Sequence, residues 1–142
     1  MAKLYAPITV PFLQDQCINF DAYISNLKKI CSTSLDGIVL PGSNSESPFL
    51  TSDEKIELWE KSVPLLAESG KELIAGSGVE TTAETIALTL KAAQVGAGKA
   101  LILPPHFFKS KLKPSILVEH FYAAADSSPI PLWVYNMPLY MG

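Results

Sequence analysis

Arginine is absent from all 142 residues, and every one of the eleven basic side chains is lysine. The planar fork that grips carboxylate or phosphate through two parallel hydrogen bonds is therefore missing. Any anion bound by this chain must be met by backbone N–H groups, hydroxyls, amides or lysine. Net charge is only −3 and no run of like charge exceeds two residues, so the basic patch that nucleic-acid binding needs is lacking. Cysteine is limited to Cys17 and Cys31, too few for a disulfide scaffold and in keeping with a reducing compartment. The two histidines, His106 and His120, have no metal-ligand spacing and no cysteine cluster beside them. No apolar run reaches membrane-spanning length. The start "MAKLYAPITVPF" has neither a long apolar core nor an arginine-rich presequence, so no signal peptide is expected and the chain reads as cytoplasmic. The Walker pattern is absent. "GSGVETT" falls short of G-x-G-x-x-G and lacks the acidic residue that should end the following strand, which argues against dinucleotide binding.

What is present is a regular alternation. With 48% hydrophobic and 18% charged residues, the composition suits strands buried on both faces. Short continuous apolar runs predict strands at Leu4–Val10, Gly37–Pro41, Glu72–Ala75, Ala100–Leu103 and Pro131–Tyr135. Their starts recur every 30 residues or so, about the size of a βα repeat. Between them lie four helical stripes: Phe20, Tyr23, Ile24, Leu27, Ile30 and Cys31; Ile56, Trp59, Val63 and Leu66; Ile86, Leu90 and Ala93; Leu117, Phe121 and Ala124. Cys31 is expected to be a small core residue. Thr51 with Glu54, and Thr81 with Glu84, have the spacing of capping boxes, while Gly70 and Gly96 are natural helix stops. The order β-α-β-α-β-α-β-α-β, with no linker, predicts one α/β domain over 1–142 with a parallel sheet. An open doubly wound sheet and part of a (β/α)₈ barrel both fit. Either places ligands at the carboxyl ends of the strands.

Those ends read "TVPF", "PGSNSES", "AGSGVE", "LPPHFF" and "YNMPLYMG". The opposite ends, near Asp36, Lys71 and Lys99, show nothing unusual. "GSNSESP" crowds small hydroxyl and amide groups where a buried strand runs out, more than a plain turn requires. His106 is a rim-lining candidate, and His120 reads as a helix-surface residue. Tyr135 is either a proton-passing group fixed by packing or a core-edge aromatic with a satisfied hydroxyl.

The pieces "APITVPF", "DGIVLPGSNSESPFLTSDEK", "IAGSGVETTAETIALTLKAAQVGA", "LILPP" and "PIPLWVYNMP" together cover essentially the whole chain. In them the chain resembles the amino-terminal half of the dihydrodipicolinate synthase / N-acetylneuraminate lyase family, class I aldolases on a (β/α)₈ TIM barrel. "GSNSESPFLTS" is most similar to the 4-hydroxy-2-oxoglutarate aldolase branch. The resemblance implies four βα units plus strand five of such a barrel, and a reaction that makes or breaks a carbon–carbon bond of a 2-oxo acid such as pyruvate. A lysine on strand six forms the imine that serves as electron sink, with no added cofactor. By position, Ser43 and Asn44 bind the substrate carboxylate, Ser43 also counts among the catalytic residues, and Tyr135 shuttles protons. Glu46 matches a motif residue that orients the loop. The implied partner is a small pyruvate-like acid, with a homo-oligomer expected and neither nucleic acid nor membrane.

Three departures qualify that resemblance. Tyr140 stands where the synthase branch has an arginine for a second carboxylate, which argues against aspartate semialdehyde as substrate. Phe107-Phe108 replaces a tyrosine pair, so a hydroxyl relay through the second ring cannot form. The third is that the chain ends at Gly142, before the strand that should bear the lysine, whereas a barrel takes about 250 residues. Lys99 lies at the wrong end of strand four, and Lys109 and Lys111 lie in the loop after it. The expectation is an aldolase fragment, inactive by itself. The competing expectation is a non-catalytic half-barrel that binds small carboxylates or self-associates through its open edges.

Overall fold

The computed structural model describes residues 2–138. Each predicted element forms. Strands β1 (Tyr5–Pro7), β2 (Gly37–Leu40), β3 (Glu72–Gly76), β4 (Lys99–Ile102) and β5 (Leu132–Val134) alternate with helices α1 (Phe20–Cys31), α2 (Ser52–Glu68), α3 (Thr82–Val95) and α4 (Pro114–Ser127). The sheet runs β1-β2-β3-β4-β5 in sequence order, and every pairing is parallel. That order is a barrel progression, not the reversal of strand order that marks a doubly wound sheet.

The pairing register sorts the side chains into two faces. Ile38, Leu40, Leu73 and Ala75 turn toward the helices and join a core with Tyr23, Leu27, Leu58, Trp59, Leu66, Leu88 and Ala92. Tyr5, Val39, Ile74, Leu101 and Trp133 turn the other way. In a flat sheet β1 and β5 would stand about 19 Å apart, four spacings of roughly 4.8 Å. Yet the Tyr5 and Trp133 rings meet edge to face with centroids 5.4 Å apart. Only a strongly rolled sheet allows that contact, so this second face is a barrel interior. β1 and β5 are its edges, and Val134 on β5 is 55% exposed.

Of the two capping boxes the sequence predicts, one forms in full and the other by half. Thr51 and Glu54 close a full capping box on α2. Thr81 accepts the Glu84 N–H on α3, but the Glu84 carboxylate turns away to Ser52 Oγ, 2.6 Å off. Gly96 ends α3 at φ 98°, a left-handed conformation open to glycine.

Three sequence expectations need correction. The buried face of α3 is Thr85, Leu88, Thr89 and Ala92, whereas Leu90 of the predicted stripe is 38% exposed. Polar satisfaction decides this: Thr85 Oγ1 bonds both the N–H and the carbonyl of Val79, and Thr89 meets Ser77 at 2.8 Å. His120 is no surface residue. It is 3% exposed, with Nδ1 2.9 Å from Thr82 Oγ1, and burial pushes its pKa down. Cys31 is only half-buried, its thiol donating to the Leu65 carbonyl.

The amino ends of the strands, expected to be plain, carry an ionic floor. Glu72 pairs with Lys99 at 2.7 Å and Lys3 at 3.0 Å, and accepts the Tyr5 hydroxyl. Lys99 Nζ also lies 5.6 Å from the centroids of both the Tyr5 and Trp133 rings. Burial by itself would raise the Glu72 pKa, but hydrogen bonds from Lys99, Tyr5 and Lys3 outweigh it and hold the carboxyl at about 2, against an ordinary 4.5. A carboxylate depressed on folding stabilises the fold above its unfolded pKa and loses that contribution as pH falls through the folded one. Denaturant titrations should therefore show stability declining between about pH 4.5 and pH 2. Glu72→Gln should flatten that decline; an unchanged acid slope would remove Glu72 as its source.

Candidate functional site

The segment leaving β2 is built by short-range polar bonds. After the cis Leu40–Pro41 peptide, Ser43–Ser45 form a 3₁₀ turn, Glu46 adopts a left-handed conformation at φ 56°, and Ser47–Phe49 form a second 3₁₀ turn leading to the Thr51 cap. Ser45 is fully buried and pins the turn: its hydroxyl donates to the Ile8 carbonyl at 2.5 Å and accepts the Gly42 N–H at 3.2 Å. The loop-orienting role expected of Glu46 thus falls to the Ser45 side chain. Glu46, itself exposed, contributes the backbone elbow between the two turns. Ser45→Ala should cost about 1–3 kcal/mol, since it leaves the buried Ile8 carbonyl without its donor; chemical denaturation measures it, and a loss within error would show that the turn holds itself.

Close approach of β3 supports the same turn from below. A Cβ on Gly76 would lie 1.8 Å from the Pro41 carbonyl oxygen, so only glycine lets the two strand ends meet here. Ser43 and Asn44 are exposed at the turn's leading edge, where N–H groups have no partner within the turn. The Ser43 hydroxyl donates to Asn44 Oδ1 at 3.4 Å.

Tyr135 extends the β5 ladder by one bond, its N–H donating to the Ile102 carbonyl at 2.8 Å. Strand alternation from Trp133 puts Tyr135 on the interior face, and its ring is half-buried. Ser43, Asn44 and Tyr135 therefore occupy the carboxyl ends of β2 and β5, on one rim of one rolled sheet. No hydrogen bond joins the turn to the tyrosine among the described residues.

Between them the rim carries a contact that sequence reading missed. Glu80, in the loop after β3, reaches the loop after β4: Oε1 is 2.8 Å from His106 Nδ1, and Oε2 accepts the N–H groups of His106 and Phe107, each at 3.1 Å. Its only sequence signal is an acidic residue closing "AGSGVE", which means nothing until the neighbouring strand supplies the histidine. Phe107 and Phe108 stack edge to face at 4.8 Å and are exposed. Lys109 and Lys111 sit in the following 3₁₀ turn, and Lys99 is committed to the floor. Lys55, overlooked in the sequence, is buried in the first turn of α2 on the helix layer, where burial lowers its pKa. Tyr140 lies outside the described residues. Among the described residues no group of three His, Cys, Asp or Glu side chains is placed to hold a metal ion, and no helix is long and apolar enough to cross a membrane.

Parallel βα units in sequential order, a rolled sheet and a polar carboxyl rim define a (β/α)₈ barrel protein, of which this chain forms four βα units and strand five. The family model for the dihydrodipicolinate synthetase family matches residues 1–142, and the chain belongs to that family. Among its curated relatives, the 4-hydroxy-tetrahydrodipicolinate synthase of Oenococcus oeni is 35% identical over 96% of this chain and 46% of its own length. A probable mitochondrial 4-hydroxy-2-oxoglutarate aldolase of Emericella nidulans is 30% identical over 95% of this chain and 45% of its own. The crystal structure of a chloride-inhibited dihydrodipicolinate synthase from Acinetobacter baumannii, complexed with pyruvate, superposes with a TM-score of 0.88 at 27% identity, covering 99% of this chain and 47% of that one. The chain spans about half the length of the curated relatives it matches.

Proposed function

We propose that this chain supplies the carboxylate-binding and proton-transfer half of a Schiff-base aldolase that makes or breaks a carbon–carbon bond of a pyruvate-type 2-oxo acid. The observation that carries the reading is the shared rim: a hydroxyl-and-amide turn fixed by Ser45 at the end of β2, and an interior-facing phenol at the end of β5. Ser43 and Asn44 hold the substrate carboxylate through hydroxyl, amide and backbone N–H groups, donors open to a chain without arginine. Tyr135 moves protons during imine formation and cleavage. In the family pattern the imine-forming lysine is part of a sixth strand, which the five strands here do not include, and no cofactor is required. Tyr140 in place of an arginine favours a hydroxy-oxo-acid aldolase over a synthase that uses aspartate semialdehyde. The protein acts in the cytoplasm as a homo-oligomer.

Borohydride reduction in the presence of pyruvate tests the division of labour. The complete polypeptide should gain a stable pyruvate adduct, and the 142-residue chain should gain none. An adduct on the short chain would show that one of its own amines, with buried Lys55 the first to map, does the chemistry instead.

β1 and β5 each have a single strand neighbour, which favours a second reading: a half-barrel that pairs through its open strands. Light scattering across a concentration series separates the two. Concentration-dependent dimers of the short chain support edge pairing, and a monomer at every concentration rules it out.

A further inference from the structure

The Glu80–His106 contact has the construction of an oriented acid–base pair. His106 Nδ1 faces Glu80 Oε1 at 2.8 Å and the Pro104 carbonyl at 3.3 Å. Both neighbours are acceptors, so Nδ1 carries the hydrogen and the neutral imidazole keeps its lone pair on Nε2. The second carboxylate oxygen of Glu80 takes the His106 and Phe107 N–H groups, fixing the backbone that bears the ring. The imidazole is part-exposed, as a group exchanging protons with a ligand must be.

Its position in the fold is the second argument. β4 and β5 are neighbours, and the Tyr135 N–H is bonded to the carbonyl of Ile102, the last residue of β4. His106 follows in the same connection, at the same rim. Phe107 and Phe108 offer no hydroxyl, so within 103–108 the imidazole is the one side chain able to take up and return a proton.

We propose that His106, oriented by Glu80, is the second proton-transfer group of this mouth, acting in series with Tyr135 on a 4-hydroxy-2-oxo acid bound as its imine. The proposal rests on the aldolase reading above. In the cleavage direction the substrate's 4-hydroxyl proton passes through the Tyr135 phenol to Nε2. The C3–C4 bond breaks, its electron pair moves into the iminium to give an enamine, and the aldehyde leaves. The proton then returns from Nε2 to C3, restoring the iminium and the neutral imidazole. Glu80 is a positioning residue, which holds the tautomer and the ring without touching substrate.

Two measurements test this. Long-range ¹H–¹⁵N spectra of the 142-residue chain, taken where the imidazole is neutral, should show His106 with its hydrogen on Nδ1. In Glu80→Gln the spectrum should move toward the Nε2–H form that free histidine favours. In the complete polypeptide, His106→Gln should lower kcat by about 10²-fold or more with KM little changed, and Glu80→Gln should lower kcat by less. An Nε2–H tautomer in the unmodified chain overturns the proposal. So does full turnover of His106→Gln in an enzyme that traps pyruvate, a result that leaves the aldolase reading standing. A complete enzyme that traps no pyruvate overturns the aldolase reading and this proposal with it.

Discussion

Tyr135→Phe in the complete enzyme is expected to lower turnover by about 10²–10⁴, the range for a positioned acid–base group. The loss should appear in kcat more than in KM, because the ring and its packing remain while the dissociable proton is removed. The backbone argues for a clean experiment. Tyr135 is held by its N–H bond to Ile102 and by strand alternation, so the substitution deletes one oxygen without releasing the strand. Steady-state kinetics of pyruvate release from a 4-hydroxy-2-oxo acid checks it. An unchanged rate would take the phenol out of the mechanism, and with it the relay from substrate to His106.

Trp59→Ala is expected to have the largest effect on stability, about 3–5 kcal/mol, the usual cost of deleting a fully buried aromatic from a core. Trp59 is 0% exposed and packs in the layer between α2 and the sheet. Its indole N–H donates to the Leu40 carbonyl at 2.8 Å, on the residue that precedes Pro41 and the Ser43–Ser45 turn. Truncation therefore opens a cavity and strips a buried carbonyl of its donor together. Urea denaturation of the chain measures the loss, and its effect should extend to the rim as faster amide exchange at Ser45 and Glu46. A loss below about 1 kcal/mol would mean that the core collapses around the gap.

Much of this architecture is legible along the chain because it is local. Continuous apolar runs such as "DGIVLP" and stripes such as Ile56, Trp59, Val63 and Leu66 report burial at the period of a single element. Thr51 and Glu54 are three residues apart, and they bond each other as their spacing predicts. Where polar residues share the buried face, the same logic slips. Apolar counting on α3 points to Ile86, Leu90 and Ala93, one position away from Thr85, Thr89 and Ala92, because it cannot credit a threonine whose hydroxyl is paired inside. The burial of His120 escapes the same counting, since its partner Thr82 belongs to another helix.

The candidate site divides along the same line. Ser43, Asn44 and Tyr135 stand out in sequence as polar groups at strand ends, and their motif carries the family. Glu80 with His106, 26 positions apart, and Glu72 with Lys99, 27 apart, carry no mark of their pairing until β3 lies beside β4.

By itself the amino-acid sequence determined the βα order, the capping box of α2, the anion chemistry permitted to a chain without arginine, and the motif residues of the rim. Each of these depends on neighbours within one turn or one strand. Tertiary structure alone decided that the sheet rolls until Tyr5 meets Trp133, that Ser45 rather than Glu46 holds the β2 turn, and that Glu72 and Glu80 find their partners across adjacent strands. Side-chain pairing between elements is set by register and curvature, which place atoms to within a few tenths of an ångström and leave no periodic trace in the order of residues.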